Sequence, residues 1–377
     1  HEVTYDEHLE RVGRLSAVIG DLGVGPQDRV AVLAGGSHVY IELWHACLAG
    51  SAIINPLNSR LAPDELVYIL SDSASAVAFV DATYAPVIAD IRDQLPELRK
   101  VVLIGDDDGP SDERLADLMA ATTATDLPPE PDDDAAAVLM YTGGTTGLPK
   151  GVVLSQKAVA LSIYRGQSIV DVGPDQSFLT FMPMFHIGGM SSWGFYVPLG
   201  GRVVIMPAYE PGAVNAAVRD EGITCVGAVP TMLAFMIQHP DFEPSMLESL
   251  QLVMYGAAPM PPQLLATLME LYPGLNFHQA YGMTEICALA TALTRDDHRR
   301  GGDILGSVGR SLIGVDLEVR DPVTGEPTPE GEIGEIWLRS DSLMTEYWKK
   351  TEQTESSLVD GWYRSGDAAR LDAHGYV

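Results

Sequence analysis

The stretch that decides the interpretation of this chain runs from Tyr141 to Gly151 and reads Tyr-Thr-Gly-Gly-Thr-Thr-Gly-Leu-Pro-Lys-Gly. It places three threonine hydroxyls, three interior glycines and Lys150 in one short segment. Glycine has no Cβ, so backbone N–H groups can come close to an anion. Threonine hydroxyls add donors, and a lysine ammonium is a mobile charge suited to phosphate. The stretch therefore predicts a phosphate-binding loop; a flexible surface turn is the alternative.

The sequence on either side of this loop is typical of strands. Apolar runs cover Ala137 to Tyr141 before it and Val152 to Leu154 after it. A Walker loop needs Gly-Lys-Ser/Thr at the opening of a helix, whereas here Pro149 stands between the last loop glycine and Lys150. The segment is therefore predicted to join two strands.

The loop resembles the signature of the adenylate-forming superfamily, which includes acyl-CoA synthetases, 4-coumarate–CoA ligases, beetle luciferases and the adenylation domains of peptide synthetases. Gly143 stands where many members have serine, a change that keeps the loop small. Four further segments follow in the family's order, and the whole is most similar to the fatty-acid–CoA ligase branch. The resemblance implies that the loop binds ATP through Thr142, Gly143, Gly144, Thr145, Thr146, Gly147 and Lys150.

The first further segment is Pro183-Met184-Phe185-His186, which is interpreted as a strand end carrying a lone histidine. A histidine within an apolar run is ordinarily a core residue with satisfied polar atoms, and that alternative stays open. The resemblance implies instead that His186 borders the acyl pocket, orients the carboxylate and gates the approach of the thiol.

The second segment, Tyr255-Gly256-Ala257-Ala258-Pro259, follows an apolar strand from Leu252 to Tyr255. Small residues at the carboxyl end of a strand leave flat space for a purine, at the edge where open α/β sheets bind ligands. The alternative is an ordinary strand-to-helix turn, because Pro261 and Pro262 can start a helix. The resemblance implies ATP-binding roles for Gly256, Ala257 and Ala258.

The third segment runs from Gln279 to Glu285 and reads Gln-Ala-Tyr-Gly-Met-Thr-Glu. Tyr281 offers an aromatic face for adenine, Thr284 a hydroxyl for the α-phosphate, and Glu285 a hard oxygen ligand of the kind Mg²⁺ prefers. A helix-capping Thr-Glu pair is the alternative. The ATP-binding residues implied here are Gln279, Ala280, Tyr281, Gly282, Met283 and Thr284, with Glu285 as the metal ligand.

The fourth segment, Gly361-Trp362-Tyr363-Arg364-Ser365-Gly366-Asp367, ends in a carboxylate that can accept hydrogen bonds from both ribose hydroxyls. Ser365 replaces the family's usual threonine and keeps the hydroxyl. A plain β-turn aspartate is the alternative for Asp367.

Together these segments imply an acid–thiol ligase, an AMP-forming acyl-CoA synthetase that uses ATP, Mg²⁺ and coenzyme A. Attack of a carboxylate on the α-phosphate gives an acyl-adenylate and pyrophosphate, and the thiol of CoA then displaces AMP. Lys150, the loop amides and Mg²⁺ would spread the developing charge. The catalytic residues implied are Lys150, His186, Thr284 and Glu285.

Members of the superfamily carry a hinge and a small C-terminal lid domain after the part that this chain resembles. The sequence ends at Val377, which resembles the segment before that hinge, and it begins a few dozen residues into a typical member. We therefore interpret residues 1–377 as the N-terminal AMP-binding domain without the lid. Such a fragment is expected to bind nucleotide but to catalyse poorly, and equal pyrophosphate release with and without a restored C-terminus would refute this.

The composition of the chain limits the kinds of partner that it is expected to bind. The chain has 23 basic and 52 acidic residues, a formal charge of −29. That excess argues against nucleic acid and against an anionic membrane surface. Three cysteines without pairing or metal spacing fit a reducing compartment, and a cytoplasmic location is expected. The sequence leaves open whether the protein forms a homodimer.

The uncharged run from Gln176 to Gly201 is interrupted by proline and glycine, so it is predicted to be a strand, loop and helix of the core and not a membrane span.

Strand-like and helix-like segments alternate along the chain, which predicts an α/β fold. The expected architecture is two helix-flanked, mostly parallel sheets plus a small antiparallel, β-barrel-like subdomain, as in the N-terminal domain of adenylate-forming enzymes. The first α/β subdomain is expected over residues 1–170, the second over 171–290 and the β-rich part over 291–377. The antiparallel pattern is predicted to begin after about Leu289.

The resemblance implies a carboxylic acid substrate, and few residues bear on which acid it is. Amino-acid-activating relatives commonly have aspartate where His186 stands, which argues against an amino acid. Positions matching the acyl pocket are mostly apolar and favour a fatty or aromatic acid. Small glycines nearby favour a medium or long chain; a 4-coumarate-type acid, or loading of a carrier protein, are the alternatives. The implied pocket residues are His186, Met190, Trp193, Val229, Tyr255 and Gly256.

Overall fold

The computed structural model describes residues 2–143, 147–170 and 173–377. Within these ranges the α-helices are α1 (Tyr5–Asp21), α2 (His38–Leu48), α3 (Pro63–Ser73), α4 (Ala85–Ile91), α5 (Leu115–Ala121), α6 (Gln156–Gln167), α7 (Ile187–Gly194), α8 (Pro211–Glu221), α9 (Pro230–Gln238), α10 (Pro262–Leu271), α11 (Arg295–Arg300) and α12 (Thr351–Ser357). The strands are β1 (Arg29–Leu33), β2 (Ile53–Pro56), β3 (Val77–Asp81), β4 (Lys100–Ile104), β5 (Glu113–Arg114), β6 (Ala136–Thr142), β7 (Lys150–Ser155), β8 (Ser177–Thr180), β9 (Arg202–Ile205), β10 (Cys225–Ala228), β11 (Leu252–Gly256), β12 (Asn276–Tyr281), β13 (Thr291–Leu293), β14 (Arg310–Ser311), β15 (Asp316–Arg320), β16 (Gly334–Arg339), β17 (Glu346–Tyr347), β18 (Leu358–Val359) and β19 (Trp362–Ala369).

The chain divides into two compact units. The first unit comprises His1–Val159, Pro183–His186 and Met344–Thr351. The second unit comprises Ala160–Met182, Ile187–Leu343 and Glu352–Val377. The three subdomain ranges expected from the sequence remain predictions.

The first unit is built on an eight-stranded sheet in the order β17-β7-β6-β2-β1-β3-β4-β5. The pairings from β6 through β5 are parallel, whereas β6–β7 and β7–β17 are antiparallel. Helix α1 begins at a capping box in which the Thr4 hydroxyl accepts from the Glu7 backbone N–H. Its buried face presents apolar residues at helical spacing, including Val12, Leu15 and Ile19.

The second unit holds a seven-stranded sheet in the order β14-β13-β12-β11-β10-β8-β9, and a four-stranded antiparallel sheet in the order β15-β16-β19-β18. The central pairings of the larger sheet, from β12 to β9, are parallel. The predicted architecture of two mostly parallel sheets and a small antiparallel sheet is confirmed. One detail differs: β13 and β14 lie after Leu289, yet they extend the seven-stranded sheet, because the chain turns back antiparallel to β12.

Residues 177–194 contain the strand, loop and helix predicted for the uncharged run. Strand β8 ends at Thr180, helix α7 begins at Ile187, and both are buried. No helix among residues 2–143, 147–170 and 173–377 is long and apolar enough to cross a membrane.

A pair of histidines joins α1 to α2 in the first unit. The Nε2 atom of His8 lies 2.7 Å from the Nδ1 atom of His45. Burial, with a smaller contribution from His8, lowers the pKa of His45 to about 3. An unfolded histidine titrates near pH 6.5, so between these values the unfolded chain binds a proton that the folded chain does not. Stability contributed by neutral His45 is therefore present above pH 6.5 and is lost as the pH falls.

We expect His45→Gln to reduce this pH dependence. Between pH 7 and about pH 4.5 the unmodified protein should lose about 2.5 kcal/mol more unfolding free energy than the variant, since each pKa unit corresponds to about 1.4 kcal/mol. Urea unfolding at both pH values measures the difference. His374→Gln, at an exposed histidine, is the control. Equal pH dependence in the unmodified protein and His45→Gln would contradict the assignment.

Candidate active site

The predicted phosphate loop lies between two antiparallel neighbours in the first unit. Strand β6 ends at Thr142 and β7 begins at Lys150, and these two residues pair across the ladder. A Cβ added at Gly143 or Gly147 would meet no atom of the described residues within 4 Å. This open space is compatible with an anion approaching the loop backbone. The predicted ATP-binding residues Gly144, Thr145 and Thr146 lie outside the described residues.

The Lys150 side chain makes a cation–π contact with an aromatic ring at the edge of the same sheet. Its Nζ atom lies 4.2 Å from the ring centroid of Tyr347, which pairs with Val152 on β7. A cation over an aromatic face is stabilised by the ring quadrupole. The carbonyl of Pro149, one residue earlier, accepts a hydrogen bond from the Tyr68 hydroxyl at 3.2 Å. The end of the loop is thus held by two aromatic residues.

His186 lies in a turn of the first unit, not at a strand end, which corrects the interpretation from sequence. Strand β8 has ended six residues earlier, at Thr180, and the His186 backbone N–H donates to the Pro183 carbonyl. Burial lowers the pKa of the His186 imidazole. A lowered pKa favours the neutral imidazole, which can accept or donate a hydrogen bond.

The carboxyl ends of three parallel strands lie side by side in the second unit. Ala228 of β10 pairs with Tyr255 of β11, and Gly256 pairs with Ala280 of β12. Val229 follows β10 directly. The segments named from sequence as purine and acyl positions therefore share one edge of the sheet, where open α/β sheets bind ligands.

Two glycines at this edge sit against backbone carbonyls. A Cβ on Gly256 would lie 2.4 Å from the Ala280 oxygen, and one on Gly282 would lie 1.8 Å from the Ala288 oxygen. Ala257, beside the first of them, has φ 62°, in the left-handed region that non-glycine residues rarely adopt. Strained backbone of this kind clusters at ligand sites.

Thr284 and Glu285 are buried in a short 3-10 helix, Thr284–Ile286. The residue that caps this helix is Met283, whose side chain makes no capping hydrogen bond. The helix-capping alternative for the Thr-Glu pair is therefore wrong. The next two residues, Cys287 and Ala288, have φ of 54° and 87°, so the backbone is strained here as well.

Side chains distant in sequence hold the turn after Glu285. The Ser162 hydroxyl donates to the Cys287 carbonyl, and the Arg165 Nη1 atom donates to the Leu289 carbonyl at 3.0 Å. Arg165 is a buried cation whose further hydrogen bonds go to carbonyl and hydroxyl oxygens. Sequence reasoning missed both residues, because nothing in helix α6 distinguishes them from an ordinary amphipathic surface.

The structure joins the third and fourth sequence segments through one hydrogen bond. The Tyr281 hydroxyl donates to Asp367 Oδ2 at 2.6 Å, although the residues lie 86 positions apart. Burial, and then this bond, raise the pKa of the Tyr281 phenol. Asp367 lies in strand β19 and its carboxylate is oriented by another segment, so the plain β-turn alternative does not describe it.

Tyr255, by contrast, points into the core. Its ring is fully buried among the apolar residues beneath the seven-stranded sheet. Its hydroxyl lies 2.8 Å from His298 Nε2, and His298 Nδ1 lies 2.7 Å from the Thr294 carbonyl oxygen. Since Nδ1 must donate to that carbonyl, Nε2 accepts from the Tyr255 hydroxyl. The acyl-pocket role of Tyr255 remains a prediction, and His298 is a neighbour that sequence reasoning missed.

Comparison with known proteins decides the family. The profile of the AMP-binding enzymes matches residues 1–348. The chain belongs to the AMP-binding enzyme family.

Relatives of this AMP-binding chain include CoA ligases. It is 35% identical over 375 residues to the feruloyl-CoA synthase of Amycolatopsis sp, covering 99% of this chain and 72% of that protein. It is 33% identical over 378 residues to the long-chain-fatty-acid–CoA ligase FadD13 of Mycobacterium tuberculosis, covering 100% and 72%. The solved N-terminal domain of FACL13 from M. tuberculosis superposes with TM-score 0.89 at 32% identity, covering 99% and 91%. AMP-forming activation of a carboxylic acid, with ATP and CoA as co-substrates, is therefore the chemistry of this enzyme family.

The residues of this AMP-binding domain fit a magnesium ion that arrives with the nucleotide. No group of three or more histidine, cysteine or acidic side chains in the part of the chain that the structure describes could hold a metal. Mg²⁺ is commonly bound by one or two carboxylates together with substrate phosphates and water. Glu285, a buried carboxylate that follows Thr284 in sequence, fits that donor set. The ion would neutralise charge on the phosphates.

Proposed function

We propose that this enzyme activates a medium- or long-chain fatty acid with ATP and Mg²⁺ and transfers the acyl group to coenzyme A. The observation that carries the nucleotide site is the 2.6 Å hydrogen bond between Tyr281 and Asp367. It joins the residue proposed for adenine to the residue proposed for ribose, close in sequence to Thr284 and Glu285. A random pairing of two surface segments would not select these two residues.

Each step of this reaction is then assigned to a residue of this chain. Asp367 accepts from the ribose hydroxyls, Thr284 donates to the α-phosphate, and Glu285 binds Mg²⁺. Lys150, at the end of the phosphate loop, neutralises the developing pyrophosphate charge. His186, in its turn of the first unit, orients the carboxylate. The remaining predicted nucleotide contacts, from the loop and from the ends of β11 and β12, keep the roles expected for them.

The acyl group is assigned from the apolar character of α7. Met190 and Trp193 are each 1% exposed, and the helix carries small glycines beside them. No carboxylate is present at position 186 to pair with an amino group. These features support an extended apolar acid. A phenylpropenoic acid is the second candidate, favoured by the 35% identity to a feruloyl-CoA synthase.

A substrate panel tests the proposal. The full-length protein is incubated with ATP, Mg²⁺ and CoA together with octanoate, laurate, palmitate, ferulate or benzoate, and AMP formation and thioester product are measured. We expect laurate or palmitate to have at least about tenfold higher kcat/KM than ferulate, the discrimination expected of an apolar pocket. A preference for ferulate would overturn the fatty-acid assignment. Transfer of the acyl group to a phosphopantetheine-bearing carrier protein and not to CoA would contradict the assignment of CoA as the acceptor.

A cytoplasmic location and a homodimer remain predictions.

A further inference from the structure

The segment that carries Asp367 is a bulge in the four-stranded sheet of the second unit. Glu335 pairs with Ala368, and Trp337 pairs with Arg364. Between these pairs a single residue of β16 faces the three residues 365–367 of β19. Extra residues of this kind bend a strand and redirect its side chains, often at a functional site. Asp367 lies within this bulge.

Glu335 holds this bulge from the opposite strand. Its Oε1 atom accepts from the Gly366 backbone N–H at 3.0 Å. Its Oε2 atom accepts from Arg364 Nη2 at 3.0 Å and from Trp337 Nε1 at 3.2 Å. Both carboxylate oxygens of a buried side chain are thus used on the bulge and its flanking residues. Charge-assisted bonds of this type are stronger than neutral ones.

Gly366 gives the bulge a shape that depends on this contact. Its φ is 77°, in the left-handed region, and its amide is directed at Glu335 instead of at a ladder carbonyl. The Ser365 hydroxyl donates to the Ile336 carbonyl at 2.8 Å and accepts from the Asp367 N–H at 3.1 Å. The backbone of residues 365–367 is therefore tied to β16 at two points, and Glu335 supplies the charged one.

We propose that Glu335 is a positioning residue for the adenylation reaction, which sets the Asp367 carboxylate against the ribose hydroxyls by clamping the Gly366 amide. The inference rests on the proposed ribose-binding role of Asp367. Tyr281 fixes one carboxylate oxygen of Asp367, and Glu335 fixes the backbone from which that carboxylate projects. Without Glu335 the bulge can relax, so the Asp367 carboxylate is still present but is no longer held against the ribose.

The test compares ATP with 2′-deoxy-ATP in single preparations of each variant. The ratio of their kcat/KM values reports the contact between Asp367 and the ribose, and it is unaffected by the fraction of folded enzyme, which scales both substrates equally. The variants are Glu335→Gln, Asp367→Ala and the double variant. Glu318→Gln is the matched control, because Glu318 is ion-paired with Arg320 at 2.7 Å in the same sheet but lies on β15, which β16 separates from β19.

We expect Glu335→Gln to lower kcat/KM for ATP about tenfold, the effect of weakening hydrogen bonds to a charged group, and to lower it much less for 2′-deoxy-ATP. Glu318→Gln should leave the ratio unchanged, and the double variant should discriminate no less than Asp367→Ala alone. An equal fall for both nucleotides in Glu335→Gln would make its role merely structural and overturn the inference. If Asp367→Ala also preserves full discrimination, the ribose assignment itself fails, which separates the two outcomes.

Discussion

Glu285→Gln is expected to lower the rate of adenylate formation by about a hundredfold or more. Glutamine has nearly the same shape but lacks the negative oxygen that a hard divalent cation requires. The metal would then be held by phosphates and water alone, and less of the charge developing on the pyrophosphate would be neutralised. Removal of one electrostatic donor from such a site typically costs 10² to 10³ in rate, that is, about 3 to 4 kcal/mol. Acid-dependent exchange of labelled pyrophosphate into ATP measures this step without the CoA reaction.

Magnesium dependence separates a metal ligand from a residue that only shapes the turn. We expect the Mg²⁺ concentration for half-maximal exchange to rise at least about tenfold in Glu285→Gln, because the ligand set is weakened. Glu97→Gln, at an exposed glutamate of the first unit, controls for the loss of one charge from this acidic protein. An unchanged magnesium requirement together with a lower rate would remove Glu285 from the metal site.

The sequence could predict the strands and the order of the site segments, because these depend on local pattern. Apolar runs bounded by glycine and proline placed β6, β7 and β11 within a residue or two of their observed ends. The loop between β6 and β7 was predicted to join two strands, and Thr142 does pair with Lys150. Small residues at the end of β11 predicted flat space for a purine, and that role stays a prediction; the structure shows that the Ala280 carbonyl oxygen lies close to Gly256.

What the sequence could not predict are the contacts that depend on the tertiary fold. Arg165 has no local signal, since its hydrogen-bond partners follow more than a hundred residues later. Glu335 likewise looks like an ordinary strand residue until β19 lies beside β16. Tyr281 was expected to offer its ring, whereas the structure adds a role for its hydroxyl. Each of these polar side chains forms hydrogen bonds with a partner distant in sequence. Such pairings produce no periodic pattern in the sequence from which they could be predicted.

Gly282→Ala is expected to damage both the fold and the site, because one added methyl group has nowhere to go. Its Cβ would lie 1.8 Å from the Ala288 carbonyl oxygen and 3.1 Å from the Ala290 nitrogen. These atoms belong to a backbone that returns antiparallel to β12, with the Ala290 N–H donating to the Tyr281 carbonyl at 2.8 Å. Neither is the flexible end of a side chain, so the two backbone segments must move apart.

We expect this separation to lower the unfolding free energy by about 3 kcal/mol, at the upper end for overpacking. Tyr281 and Thr284 flank the glycine closely, so kcat/KM for ATP should fall by about a hundredfold, as expected for a displacement of roughly 1 Å at a reacting site. Gly274→Ala is the matched control, because a Cβ there would meet no atom within 4 Å. Gly274→Ala should leave the unfolding free energy unchanged or raise it slightly.

Urea unfolding and pyrophosphate exchange, both at low temperature where the variant stays folded, measure the effects on stability and on activity separately. Full activity in Gly282→Ala would show that the backbone around Tyr281 tolerates the shift, and the tight packing at the end of β12 would then have no part in binding the nucleotide.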